Sequence, residues 1–249
     1  QNKDFLNWEV KMIQIFSNSL GEEELAAVKD VFDSKWIGSG NHTKSFEEEF
    51  SSLVESKYSL TFNSATSALF SSIRILDIGQ GDEVLIPSIN FVGCSNAIID
   101  AGATPVFCDV DLRTLNILPE EVYRKRNSKT KALLLLHYGG HPAPMDDLKD
   151  AATGLRIIED SANSIVSKYK GKNCGTLGDL GIYSFDAMKF IVVGDGGMLT
   201  IQDDYLYERA QQFRYFGLRP KSKSGIDSLN EGNKRWWEID LIDVSGRYI

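Results

Sequence analysis

The chain has 249 residues, 42% hydrophobic and 25% charged, which supports a substantial core in one large or two small soluble domains. A formal net charge of −8 with no offsetting basic patch argues against nucleic acid as a partner, and the "RPKSKSG" cluster at 219–225 reads as a solvated loop. No apolar run reaches the roughly 18–20 residues of a membrane span, "QNKDFLNWEVK" at the start has no signal-peptide core, and the widely spaced Cys94, Cys108 and Cys174 form neither a CxxC pair nor a disulfide framework, so a reducing, cytoplasmic setting with no membrane partner is expected.

In chain order, "GEEELAAVKDVFDSKW" (21–36) carries acids in its first turn and apolar residues at Leu25, Val28, Val31 and Phe32, the spacing of an amphipathic helix. A Gly-rich turn and a Ser/Thr cap region precede a second helix around 44–56. The pattern then alternates. Strands are expected at 58–62, 83–86, "TPVFCDV", 132–137 and 155–160, and then in "GDLGIYSF" and "GGMLTI". Helices are expected at 65–76, in "VGCSNAIIDAG" closed by Gly102, at 118–126 with Pro119 near its start, in "MDDLKDAAT" and at 203–217. Strands alternating with helices of about ten residues predict an α/β fold, with a mostly parallel central sheet and helices on both faces. Runs such as "LLLL" lack in/out alternation, as strands buried on both sides should. From about 218 the rhythm stops, and 218–249 is polar and punctuated by aromatics.

Ligands of open α/β sheets bind beyond the carboxyl ends of the strands. Collected there are "NSAT" (Asn63 to Thr66), Phe91 in "PSINF", "YGGHP", Asp160 in "DSANS", and Ser184, Asp186 and Lys189 between the last two strands. "NSAT" offers hydroxyls and free amide groups at a positive helix end, an anion site, although the same residues serve a plain N-cap. Phe91 is a flat wall for an aromatic ligand or an ordinary core ring. Asp160 ends an apolar strand, where a carboxylate is costly unless partnered, so it either meets a ligand or pairs structurally. Lys189 is a solvent-facing turn lysine or, in a dry pocket, a nucleophile for carbonyls. Together, a phosphate cradle, a stacking wall, a carboxylate for a ring nitrogen and a lysine able to condense with an aldehyde describe a site for pyridoxal 5′-phosphate.

The pieces "NSATSAL", "GDEVLIPSINFV", "GATPVFCDVD", "HYGGHPAPMD", "IIEDSANSIVSKYKGKNCGTLGDLGIYSFDAMK" and "GDGGMLT", running in order over about residues 15–217, resemble the DegT/DnrJ/EryC1/StrS sugar aminotransferases, which belong to the fold-type I, aspartate-aminotransferase-like enzymes. The resemblance implies a pyridoxal-phosphate-dependent transfer of an amino group from an amino acid, glutamate in the first instance, to a keto-sugar nucleotide. Lys189 matches the lysine that carries the cofactor, Asp160 the acid at the pyridine nitrogen, and Ser64, Ala65 and Thr66 the phosphate turn. Ser184 matches a second phosphate ligand, Phe91 the stacking ring, and Asn163 a position near the 3-hydroxyl side where the family often has His or Gln. The rival readings are a truncated or degenerate protein of the same fold with a non-catalytic role, and a sugar dehydratase. Dehydratases of this kind have His in place of the lysine, against which Lys189 speaks.

Asp186 stands where many members carry His and Phe190 where Asn is common; an acid three residues from Lys189 is expected to hydrogen-bond the amine or raise its pKa. The family also carries a C-terminal small domain, so 1–217 is expected to form the cofactor-binding large domain with its N-terminal helical segment, and the chain to be a fragment of a longer protein. In the family the segment equivalent to 218–249 lies at a homodimer interface and reaches the partner's cofactor phosphate, which makes Arg247 a further phosphate contact.

Overall fold

A computed structural model describes residues 16–215 and Gly217. Two helices, α1 (Glu22–Asp33) and α2 (Asn41–Val54), precede the alternating region. That region contains β1 (Tyr58–Phe62), α3 (Ala65–Ile75), β2 (Glu83–Pro87), α4 (Val92–Asp100), β3 (Thr104–Cys108), α5 (Pro119–Lys125), β4 (Thr130–Leu136), α6 (Met145–Ala151) and β5 (Arg156–Asp160). A short hairpin of β6 (Lys168–Tyr169) and β7 (Lys172–Asn173) follows, then β8 (Leu180–Ser184), β9 (Gly197–Ile201) and α7 (Asp204–Arg214). The expected strands and helices are present, with ends moved by a few residues. The hairpin at 168–173 is an addition, turned by Lys170 and Gly171, both at positive φ. None of the described helices is long and apolar enough to cross a membrane.

The seven-stranded sheet has the order β1-β9-β8-β5-β4-β2-β3. All neighbours are parallel except that β9 runs against both β1 and β8. The sheet is therefore mostly parallel, as expected, with one reversed strand near its edge. An antiparallel neighbour needs no crossover helix, so β8 passes to β9 through residues 185–196 alone, and this is the connection that carries Lys189.

Strand periodicity sorts side chains onto two faces. Val84, Ile86, Ala132, Leu134, Ile158, Leu180, Ile182, Leu199 and Ile201 pack with α3, α4 and α7. On the opposite face Leu85, Leu133, Leu135 and Ile157 pack with α5 and α6, and Tyr183, Phe185 and Met198 meet Phe50 and Val54 of α2. Burial on both sides explains why these strands are uninterrupted apolar runs.

The N-terminal helix is present as expected, but its apolar stripe is not covered by the described residues. None of its residues is buried, and Leu25, Val28 and Phe32 of its apolar stripe lie exposed among the described residues.

Candidate active site

Two consecutive acids end β5, and period two sends them to opposite faces. Asp160 lies in register with Ile182 and joins the α3/α4 face. It is 2% exposed. Its Oδ1 accepts the Ala162 amide at 3.1 Å, and its Oδ2 accepts the Cys94 thiol at 3.5 Å. Burial raises its pKa above the ordinary carboxylate value, opposed by the Ala162 amide, the Cys94 thiol and the Lys189 charge.

Ser184 sits two residues beyond Ile182 on the same face, paired with Gly197 of β9. A Cβ at Gly197 would lie 2.5 Å from both the Ala65 nitrogen and the Ser64 carbonyl carbon. No side chain fits there, which is why the "GDGG" stretch ends in glycine, and the close approach brings Ser184 alongside the turn into α3. In that turn the Ser64 hydroxyl accepts the Ser67 amide at 3.1 Å, so the plain capping role exists. It leaves the amides of Ala65 and Thr66 at the helix start, and no partner for them is found among the described residues. The capping role is therefore present, and the two amides stay available beside it.

Lys189 stands on the β8–β9 connection. The base of that loop is closed by Phe185 N–H to the Gly196 carbonyl at 2.9 Å and Val193 N–H to the Phe185 carbonyl at 3.1 Å. The half-buried lysine donates from Nζ to Oδ1 of Asn163 at 2.9 Å. Met188, Phe190 and Val193 are exposed, so the apolar neighbours of the lysine are not part of the core. One expectation is corrected here. The Asp186 carboxylate does not meet the amine: its Oδ1 accepts the Met188 amide at 3.0 Å and folds the turn on which the lysine stands.

Phe91 is no core residue. It is 55% exposed at the start of α4, and its ring lies so close to Gly93 that a Cβ there would sit 2.6 Å from Cε1. Ser64, Ala65, Thr66, Phe91, Asp160, Asn163, Ser184 and Lys189 all lie at or just beyond the carboxyl edge of the parallel strands. Arg247 lies outside the described residues.

The sequence reading missed three contributors. Glu159, on the other face, is fully buried and accepts the amides of Gly175 (2.8 Å), Leu177 (2.7 Å) and Gly178, together with His137 Nε2 (2.9 Å). His137 accepts the Ala143 amide on Nδ1 at 3.0 Å, which makes Nε2 the protonated nitrogen. Cys94 is the third; its place one helical turn after Phe91 was the available signal.

Comparison with known proteins adds the family. The model of the DegT/DnrJ/EryC1/StrS aminotransferase family matches residues 18–235. The chain belongs to this family. The match contains every expected site residue except Arg247. A dTDP-4-dehydro-2,3,6-trideoxy-D-glucose 4-aminotransferase of Saccharopolyspora spinosa is 47% identical over 242 residues, 96% of this chain and 62% of that protein. The crystal structure of the aminotransferase TlmJ from Streptoalloteichus hindustanus superposes with a TM-score of 0.84 at 43% identity, over 95% of this chain and 62% of that one. Spr1654 of Streptococcus pneumoniae, solved in a PLP form, gives 0.83 at 26% identity over 94% and 62%. The chain thus spans about three fifths of the length of these relatives, and it shares their fold-type I architecture.

Proposed function

We propose that the protein is a pyridoxal-5′-phosphate-dependent aminotransferase that moves an amino group from an amino acid, with glutamate the first donor to test, to the keto group of a sugar nucleotide. The observation that carries this reading is the convergence of a buried carboxylate, a half-buried lysine amine and two helix-start amides without a partner among the described residues at the carboxyl edge of one sheet. The names of the relatives support the substrate class.

The residues present fit the cofactor. Ala65 and Thr66 offer amides, and Ser64 and Ser184 hydroxyls, to a phosphate held at the positive end of α3, with Gly197 leaving room for the strand to close against it. Phe91 supplies the wall for a flat ring. Asp160 would hold a proton on the ring nitrogen, and its burial would strengthen that pairing. Asn163 orients the Lys189 amine, which would accept and return the substrate proton once the cofactor is bound. The cofactor itself supplies the aldehyde and the electron-withdrawing ring.

Residues 1–217 act as the cofactor-binding unit, and part of 219–248 reaches a partner protomer's site in a homodimer, with Arg247 on the phosphate. The sequence supports this through the paired Trp236 and Trp237 and the cations around them, residue types enriched at interfaces and anion sites. A cytoplasmic location follows from the same biosynthetic role.

The deciding experiment uses the full-length protein with pyridoxal phosphate, glutamate and a panel of keto-sugar nucleotides, read by mass spectrometry. Amino-sugar product is expected, and it should disappear in Lys189→Ala, together with the borohydride-sensitive visible absorbance of the lysine-bound cofactor. Wild-type-like transfer by Lys189→Ala would refute the assignment. Mixing Lys189→Ala with Arg247→Ala tests the shared site: mixed dimers should regain up to one working site, and no recovery in confirmed mixed dimers of two inactive, folded variants rules out sharing through Arg247.

A further inference from the structure

Cys94 enters none of the roles above, yet it touches the most consequential carboxylate in the molecule. It lies in the first turn of α4, and its amide donates to the Phe91 carbonyl at 3.0 Å, so the turn that sets Phe91 also sets Cys94. The side chain is fully buried, and Sγ lies 3.5 Å from Oδ2 of Asp160. Burial, and then the Asp160 charge, push the thiol pKa far up, so the sulfur keeps its proton and is a donor rather than a nucleophile. The backbone anchors Oδ1 through Ala162 at 3.1 Å. Without the thiol, Oδ2 would have no partner among the described residues. Of the three buried cysteines, Cys108 has among the described residues only a carbonyl, that of Val106, at 4.0 Å, and Cys174 has no thiol hydrogen bond among them.

We propose that Cys94 is a positioning residue: its S–H···Oδ2 bond, with the Ala162 amide on Oδ1, fixes the plane of the Asp160 carboxylate while leaving each oxygen a lone pair for the ring nitrogen. A thiol suits this task because it is a weak donor. It holds the oxygen in place without the strong stabilisation of the anion that a cationic partner or several amides would bring, so the carboxylate keeps its affinity for a ligand proton. The consequence for the cofactor rests on the assignment of Asp160 to the ring nitrogen; the thiol–carboxylate bond itself does not.

The test has two arms. In the protein without added cofactor, the S–H stretching band of Cys94, identified by its loss in Cys94→Ser, should lie at lower frequency than that of Cys108. Equal frequencies would overturn the proposal whatever the cofactor does. In the second arm, release of bound pyridoxal phosphate on dialysis is followed in Cys94→Ser and Cys94→Val, with Cys94→Ala replacing the valine variant if that one does not fold. Loss of the donor should speed release about three- to tenfold in Cys94→Val, and the hydroxyl of Cys94→Ser should restore it to within about twofold. The reverse pattern, valine normal and serine impaired, would assign Cys94 to packing and overturn the proposal. Failure of the wild-type protein to retain any pyridoxal phosphate would instead sink the cofactor assignment, and the infrared arm would still decide the bond.

Discussion

Glu159 and Asp160 are adjacent, chemically alike and both buried, yet the two faces of the sheet treat them in opposite ways. On the α5/α6 side Glu159 accepts three backbone amides and a histidine N–H, using all of the roughly four lone-pair sites of a carboxylate. It ties the loop at 174–178 and, through His137, the Ala143 backbone to the end of β5. On the α3/α4 side Asp160 has one amide and one thiol. A saturated carboxylate is a fixture of the fold. An under-partnered one in the same dry medium is held in a costly state that a cationic ligand relieves. The number of donors, not burial, separates the two acids.

Four substitutions break or sharpen that contrast, the first having the largest effect. Asp160→Asn should lower turnover of the full-length protein by at least about a hundredfold, since a charged partner in a dry site is worth several kcal/mol. The cofactor-free variant should melt higher than wild type at neutral pH, by about 1 kcal/mol. The sign follows from the raised pKa: between the unfolded and folded values the folded state binds more protons, so Asp160 makes wild-type stability fall as pH rises through that window. The gap between variant and wild type should therefore close on acidification towards the unfolded aspartate pKa, as read from melts across pH. Near-normal turnover would make Asp160 structural too.

Glu159→Gln should do the reverse, destabilising the fold by about 3 kcal/mol in urea titrations because an amide turns a donor towards amides that need an acceptor. If its stability matches wild type, the saturated network is not what holds the two loops. Gly197→Ala should cost about 1–3 kcal/mol, because its methyl meets the Ser64–Ala65 backbone, and should weaken retention of pyridoxal phosphate measured by equilibrium dialysis. Unchanged retention would separate β9 from the phosphate cradle. Smallest is Asp186→Ala, which removes one turn bond to Met188; stability should drop by less than about 1 kcal/mol, and turnover should stay within about threefold. A larger fall would give the carboxylate the direct role towards Lys189 that its geometry denies.

Much of this was legible in the residues. Strand–helix alternation and doubly buried apolar runs announced the sheet, and the polar residues following each strand fell at its carboxyl edge, because those signals are local. What stayed hidden is relational. Nothing in "IIED" says which acid meets four donors, since three of them come from Gly175, Leu177 and Gly178, brought near only by the return of the chain through β8. The reversal of β9 is likewise a matter of pairing partners, not of propensity. Asp186 was misjudged because sequence distance to Lys189 was allowed to stand for side-chain direction; the carboxylate turned to the nearest backbone amide. The helix at 22–33 was correctly periodic, but periodicity does not say what covers a face.

The pairing of β1 with β9 also sets a schedule for assembly. Tyr58 lies in register with Ile201, so among the described residues the strand leading into the Ser64–Thr66 turn has no neighbour on the sheet until almost all of them have been synthesised. Such distant contacts are slow to form, and before they do β1 is an open edge prone to wrong partners. In a growing chain the turn at Ser64–Thr66 acquires its Gly197 wall only when β9 arrives. Capture of phosphate-bearing cofactor on the ribosome should therefore appear late and abruptly with nascent-chain length, once β9 has cleared the exit tunnel.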